Sequence, residues 1–296
     1  MFDSKGVPKG NQISGIITAL PTPLLANEDV DIASLKKLID YVIKQGANGI
    51  FVLGNMGEGP LLLDSQKLIA VKSAIEYANK RVPVLAGIAE VSPRRMIDLG
   101  EKIKDLNPDY LVITTPFYYR FPHPDSLFSA VEKITQKLDY PTVFYHCPGA
   151  TGNKLGLDTM FKIMQIPQLK AIKDSSGDIY LFMEMLRRYP DKNSRPGSIL
   201  QGDEFVYDIG LLMGADGVIT GGGTAFVDTL IELYRAAAIE KNQTTAFKLQ
   251  QQFRKQMDDM LGSELLTDWM YAIKTKLKDK GLIDNNVVFP FMKRNR

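Results

Sequence analysis

Gly15-Ile16-Ile17-Thr18-Ala19-Leu20, then Ile32, Leu35, Leu38, Ile39, Val42 and Ile43 at helical spacing, then Gly49-Ile50-Phe51-Val52-Leu53 decide how this chain folds. The first and last are short β-branched runs. The middle repeats its apolar residues at the 3.6-residue period of an amphipathic helix. Two strands joined through a helix are parallel neighbours, because a parallel pair needs a crossover element. The same unit recurs along the chain. Further strand candidates are Val82–Ala86, Tyr110–Thr114, Thr142–Tyr145, Leu169–Lys173, Ser198–Gln201 and Gly217–Thr220. Eight such units in about 220 residues match a closed (β/α)8 TIM barrel of the α/β class. A doubly wound open sheet is the alternative, and it usually has fewer strands per domain.

After the eighth strand the alternation stops. Thr224–Ile239, Gln243–Leu261 and Leu265–Lys280 read as consecutive helices with no strand between them. A barrel needs one helix there, so the rest form a C-terminal helical extension. Its apolar residues Phe247, Leu249, Phe253, Met257, Met260 and Leu261 are expected to pack on the barrel or on a second subunit. No Ser/Gly-rich linker intervenes. Residues 1–224 are therefore read as barrel strands and loops, and 225–296 as the last barrel helix and the extension of the same domain.

Composition narrows the function classes. The 296 residues carry 36 Lys+Arg against 34 Asp+Glu, a net charge of +2, and 45% hydrophobic residues. That is enough for a large core, and it offers no concentrated basic face for nucleic acid. Cys147 is the single cysteine, which excludes an intramolecular disulfide framework and a cysteine-rich zinc site. The two histidines, His123 and His146, make a poor basis for a His-rich metal site. No stretch approaches the roughly 20 apolar residues that cross a bilayer, and the start lacks a secretory pattern. The expectation is a cytoplasmic protein without a membrane partner, a metal or a cofactor. The basic tail Lys293-Arg294-Asn295-Arg296 reads as a solvated terminus.

In a barrel of this kind the strand C-termini and the loops after them carry the chemistry. Strand six ends Ala171-Ile172-Lys173-Asp174-Ser175-Ser176-Gly177-Asp178. If Ile172 faces the helices, alternation turns Lys173 into the barrel. A desolvated lysine has a lowered pKa and becomes an amine nucleophile able to form a Schiff base. A lysine snorkelling from the strand end to solvent is the alternative. Strand five ends with Tyr145-His146-Cys147-Pro148, and its phenol is either a proton shuttle or a satisfied core tyrosine. After strand two, Gly54-Asn55-Met56-Gly57-Glu58 gives either a plain turn or backbone N–H groups facing an anion. Gly221-Gly222-Gly223 follows strand eight, where many barrels bind phosphate; close backbone packing also calls for glycine there.

Taken in order, these segments resemble the dihydrodipicolinate synthase / N-acetylneuraminate lyase family. The shared motifs are Gly54 to Glu58, Pro116-Phe117-Tyr118-Tyr119, Tyr145 to Gly152, Ile172 to Asp178, Gly202-Asp203 and Gly214 to Ile219. The resemblance implies a class I, metal-free lyase acting on 2-keto acids. It implies that Lys173 forms the imine, that Tyr145 is its acid/base, and that Tyr118 reaches a neighbouring subunit's site. It implies that the Asn55–Met56 turn holds the keto-acid carboxylate and that Gly202 and Ile219 line the imine. It also implies a homotetramer built as a dimer of dimers.

The sequence departs from its relatives at instructive places. The synthase branch carries two hydroxyl residues where Asn55 and Met56 stand, and an Arg where Ala150 stands. Glu204 falls where the lyase branch has an Asp, but Phe205 replaces the following Glu. The expected activity is therefore neither name-giving one. It is aldol cleavage or condensation of a 2-keto-3-deoxy sugar acid with pyruvate, or dehydration of a related keto acid. Dihydrodipicolinate synthesis and a non-catalytic keto-acid-binding regulator are the alternatives.

Overall fold

The computed structural model of the chain describes residues 13–121, 123–262 and 269–285. The strands are β1 (Gly15–Ala19), β2 (Gly49–Val52), β3 (Val84–Gly87), β4 (Tyr110–Ile113), β5 (Thr142–His146), β6 (Leu169–Asp174), β7 (Ser198–Gln201) and β8 (Gly217–Thr220). They pair in parallel in sequence order and close β8 onto β1. Helices α1 (Ile32–Lys44), α2 (Asp64–Ala78), α3 (Pro93–Lys104) and α4 (Pro124–Leu138) follow the first four strands. The short α5 (Pro148–Thr151) and then α6 (Leu157–Met164) follow β5, while α7 (Ile179–Arg188) and α8 (Tyr207–Leu212) follow β6 and β7. Beyond β8 come α9 (Val227–Tyr234), a π-helical turn at Arg235–Ile239, α10 (Gln243–Leu261) and α11 (Trp269–Asp279). The closed barrel with its C-terminal helices is the architecture expected from the sequence. The third strand begins two residues later than its apolar run, because Pro83 lacks an N–H for the ladder.

Local chemistry sets these boundaries. Asp31 caps α1 by accepting from the Ser34 amide, and the buried face is Leu35, Leu38, Ile39 and Val42. Asp178 caps α7 in the same way through the Leu181 amide, so one residue of the strand-six motif serves the helix start. In the extension, Phe253, Met257 and Leu261 of α10 join the core together with Ile273 and Leu277 of α11. Phe247 does not: it stays exposed, while Leu249 and Met260 are partly buried against the core. The beginning of the Leu265–Lys280 helix and the basic tail lie outside the described residues.

One irregularity positions the site. The β5–β6 register slips between Thr142 and Val143, from Thr142 opposite Leu169 to Val143 opposite Ala171. The slip leaves Lys170 unpaired and brings Tyr145 opposite Lys173 and His146 opposite Asp174. Without it Tyr145 would stand opposite Ile172, whose side chain has the other parity.

Candidate active site

Lys173 is buried at the C-terminal end of β6, with its side chain turned into the barrel. Its Nζ lies 4.0 Å from the centroid of the Tyr145 ring and 5.7 Å from that of Phe51. Burial pulls its pKa down to about 8, against smaller opposing effects from Cys147 and Glu204. The snorkelling alternative is thereby excluded. Burial pushes the Tyr145 phenol well above its ordinary range, and it lifts the Cys147 thiol to about 12. Near neutral pH these are a phenol and a thiol that hold their protons beside an amine that easily gives one up.

Gly202, just after β7, makes room for that amine. A Cβ on Gly202 would lie 2.7 Å from Lys173 Cε and 2.1 Å from Ser175 Oγ, so any side chain there would displace the lysine. The Gly202 amide donates to the Asp174 carbonyl at 2.7 Å, and the Ser175 amide to the His146 carbonyl at 2.9 Å. Behind this row His146 and Asp174 form a buried clamp, with Nδ1 and Oδ1 2.6 Å apart. Nε2 of His146 accepts from the Leu155 amide at 3.1 Å, so the ring proton sits on Nδ1 and donates to Asp174. His146 is thus a structural tie between β5, β6 and the loop after α5.

A cavity of about 200 Å3 opens at this end of the barrel. The rings of Phe51 and Tyr145, on which Lys173 rests, form part of its wall. Its polar lining includes Asn55, Thr114, Cys147 and Thr151, and Ala150 also lines it. Among the described residues no Arg or Lys lines the cavity. Arg120 is exposed and lies over Gly152 outside it. The carboxylate in the lining, Glu58, pairs with Lys274 of α11 at 2.6 Å, and both side chains are fully buried. Met270, one turn earlier on α11, also lines the cavity. The C-terminal extension therefore supplies part of the wall.

The remaining sequence-derived residues divide. Asn55 faces the cavity. Met56 does not line it; its side chain packs against Gly221 in the loop after β8. Ile219 is buried in β8, and its carbonyl accepts from the Tyr207 hydroxyl at 3.3 Å. Tyr118 is 81% exposed, stands at a φ of +81°, and stacks edge-on against Tyr119 with centroids 4.8 Å apart. Its loop is pinned by buried Asn153, whose amide donates to the carbonyls of Pro116, Tyr119 and Thr151.

The glycine loop after β8 is already filled. Glu204 accepts from the amides of Gly221, Gly222 and Gly223 at 3.0, 3.3 and 3.1 Å, and from the Thr220 hydroxyl. The loop amides that suggested an anion site hold the chain's own carboxylate. Burial raises the pKa of Glu204, opposed by these donors and by Lys173.

Sequence reasoning missed Met270 and Thr114 at the cavity, Lys274 paired behind it with Glu58, and the His146–Asp174 clamp. The clamp carried a signal in hindsight: each residue immediately follows a proposed catalytic residue on adjacent strands. Lys274 gave none, because its partner Glu58 lies more than 200 residues away.

A closed parallel barrel with a buried, pKa-lowered lysine among polar groups at its C-terminal mouth places this protein among the (β/α)8-barrel enzymes. It belongs to the Dihydrodipicolinate synthetase family, whose family model matches residues 12–295. The 4-hydroxy-tetrahydrodipicolinate synthase of Nitrosospira multiformis is 33% identical over 208 residues, which are 70% of this chain and 68% of the relative. 4-Hydroxy-tetrahydrodipicolinate synthase 1 of Halalkalibacterium halodurans is 26% identical over 95% of this chain and 92% of its own. The chloride-inhibited dihydrodipicolinate synthase of Acinetobacter baumannii, solved in complex with pyruvate, superposes with a TM-score of 0.85 at 30% identity. That superposition covers 94% of this chain and 92% of the other. The family is one of class I, pyruvate-dependent aldolases and lyases, and this protein is a lyase. No helix among the described residues is long and apolar enough to cross a membrane.

Proposed function

We propose that the protein is a Schiff-base lyase for a neutral-tailed 2-keto-3-deoxy acid, cleaving it to pyruvate and an aldehyde or dehydrating it. The observation that carries this reading is Lys173, buried against Tyr145 with its pKa lowered to about 8. In its neutral form the amine attacks the keto carbon and gives a carbinolamine. Loss of water leaves a protonated imine, which withdraws electrons from the adjacent carbon. In cleavage, Tyr145 relays the proton of the C4 hydroxyl as the C3–C4 bond breaks. The aldehyde leaves, and the enamine is protonated at C3 and hydrolysed to pyruvate. In dehydration a C3 proton and the C4 hydroxyl leave instead, as water. Asn55 and the backbone of the Asn55–Met56 turn hold the carboxylate, and Gly202 keeps the imine site open.

The preference for a neutral tail rests on the cavity wall. The hydroxyl oxygens of Thr114 and Thr151 can accept and the Asn55 amide can donate and accept, contacts suited to a polyol. Ala150 adds no polar side chain and, among the described residues, no cation lines the cavity to meet a second carboxylate. Dihydrodipicolinate synthesis is the second reading, favoured by the names of the relatives. Assaying a panel of 2-keto-3-deoxy acids for pyruvate release and for water loss decides between cleavage and dehydration. Turnover of none of them, with rapid condensation of pyruvate and aspartate semialdehyde, would favour the second reading.

We also propose a cytoplasmic homotetramer in which Tyr118 acts across a subunit contact. Its exposed ring, held outward on a pinned loop with a left-handed backbone, supports this. Light scattering at assay concentration tests it; a fully active monomer contradicts it.

A further inference from the structure

We propose that Ser175 is the hydroxyl that carries a proton between the Tyr145 phenol and the oxygen lost during imine formation at Lys173. This rests on the Schiff-base reading above and adds a residue to it.

Lys173 Nζ lies over the face of the Tyr145 ring. A proton on the phenol oxygen, at the ring's edge, is not delivered straight to atoms bonded at Nζ. The carbinolamine oxygen must nevertheless be protonated before it leaves as water. A second hydroxyl between the two solves the geometry. Ser175 follows Lys173 by two residues and so projects from the same side of the chain. Ser175 Oγ and Lys173 Cε converge on the space over Gly202, within 2.1 and 2.7 Å of the same point. Ser175 Oγ is buried and makes no aligned hydrogen bond among the described residues. It still sits close enough to the Tyr145 phenol to offset part of what burial does to that group.

The other hydroxyls at the mouth are committed. Thr114 Oγ1 donates to the Thr115 carbonyl at 2.9 Å, and Thr151 Oγ1 to the Cys147 carbonyl at 3.3 Å. Ser176 Oγ donates to Asp174 at 3.0 Å. A buried hydroxyl without a partner is costly, and a substrate oxygen arriving beside it would relieve that cost.

The step balances within the site. The C–N bond forms as the neutral Lys173 amine attacks and the C=O π bond breaks, and one amine proton passes to the former carbonyl oxygen, which becomes the carbinolamine hydroxyl. Ser175 then gives its proton to that hydroxyl and takes one from Tyr145, while the C–O bond breaks and water departs. The net proton comes from the phenol, and Ser175 ends as it began. The phenolate left beside the protonated imine regains its proton from the substrate, from the C4 hydroxyl in cleavage or from C3 in dehydration.

The test is the rate of borohydride trapping of pyruvate on Lys173, measured against pyruvate concentration in the wild type, Ser175→Ala and Ser175→Thr, each with a native thermal melt. Ser175→Ala is expected to lower the saturated rate by about 10²-fold, the lower end of general acid–base effects, at an unchanged half-saturating pyruvate concentration. Ser175→Thr, which keeps the hydroxyl, is expected to recover most of the rate. A wild-type saturated rate in Ser175→Ala would overturn the inference. So would a change confined to the half-saturating concentration, or Ser175→Thr as slow as Ser175→Ala. Absence of trapping in folded wild type would instead overturn the Schiff-base reading, and this inference with it.

Discussion

Lys173 Nζ sits over the Tyr145 ring at 4.0 Å from its centroid, the two residues being register partners on adjacent strands. The one-residue slip in the β5–β6 ladder makes them partners. The His146–Asp174 contact one residue further on then holds the strand ends together. The proposed chemistry follows from an amine and a phenol fixed side by side and shielded from water.

Tyr145→Phe removes one hydroxyl and almost no volume. Turnover of the substrate found by the keto-acid panel should fall by about 10²–10⁴-fold if the phenol moves protons. The thermal melt should stay near that of wild type. Near-normal turnover would reduce Tyr145 to a packing residue.

The lowered pKa of Lys173 makes two pH predictions. The trapping rate should climb with pH through about 8 and then level off, since only the neutral amine attacks. Stability has the same sign. The folded pKa of about 8 lies below the ordinary 10.5, so between those values only the unfolded state holds the proton and stability rises with pH. Below about 8 the cost of burying the charge is present in full. Lys173→Met should therefore be inactive yet more stable at pH 7, by about 3 kcal/mol. Denaturant unfolding of both proteins checks this; a less stable Lys173→Met would contradict it.

The Glu58–Lys274 pair ties the strand-two turn to α11 with both side chains fully buried. Lys274→Met strands a carboxylate in the interior and should cost about 3–5 kcal/mol in urea unfolding. Removing both charges in Glu58→Gln/Lys274→Met should recover part of that loss. Equal stability of the single variant and wild type would show that the pair does not hold the cavity wall.

Condensation of pyruvate with aspartate semialdehyde should be absent or very slow. Its second substrate carries a carboxylate, and Ala150 supplies neither charge nor donor. The loss of such a charge pair is on the order of 2–5 kcal/mol, at least tenfold in affinity. Arg120, which lies outside the cavity over Gly152, does not make up for it. Coupled assay of the condensation checks this; ordinary enzyme efficiency would return the protein to the synthase reading.

The barrel was legible because its signals are local. Each strand is a short apolar run, each following helix repeats at its own period, and strand-end position marked Lys173 and Tyr145 as candidates, while their roles and Gly202 came from the family resemblance. What escaped depends on contacts distant in sequence. Nothing near Lys274 reveals that it meets Glu58, and nothing near the triple glycine reveals that Glu204 fills it. Met56 illustrates the limit of motif position: its unbranched apolar side chain packs near Gly221, which leaves only the backbone of its turn for the expected carboxylate. Phe247 fits a helical stripe but falls on the edge of α10 that the core does not cover.

The most direct test of the account is to reduce the wild-type protein with borohydride in the presence of pyruvate and locate the added mass by peptide mass spectrometry. The account predicts one reduced pyruvate per chain, on Lys173, and none in Lys173→Arg, whose guanidinium stays protonated and cannot attack. Labelling of a different lysine, or no labelling under conditions where the enzyme turns over, would contradict it.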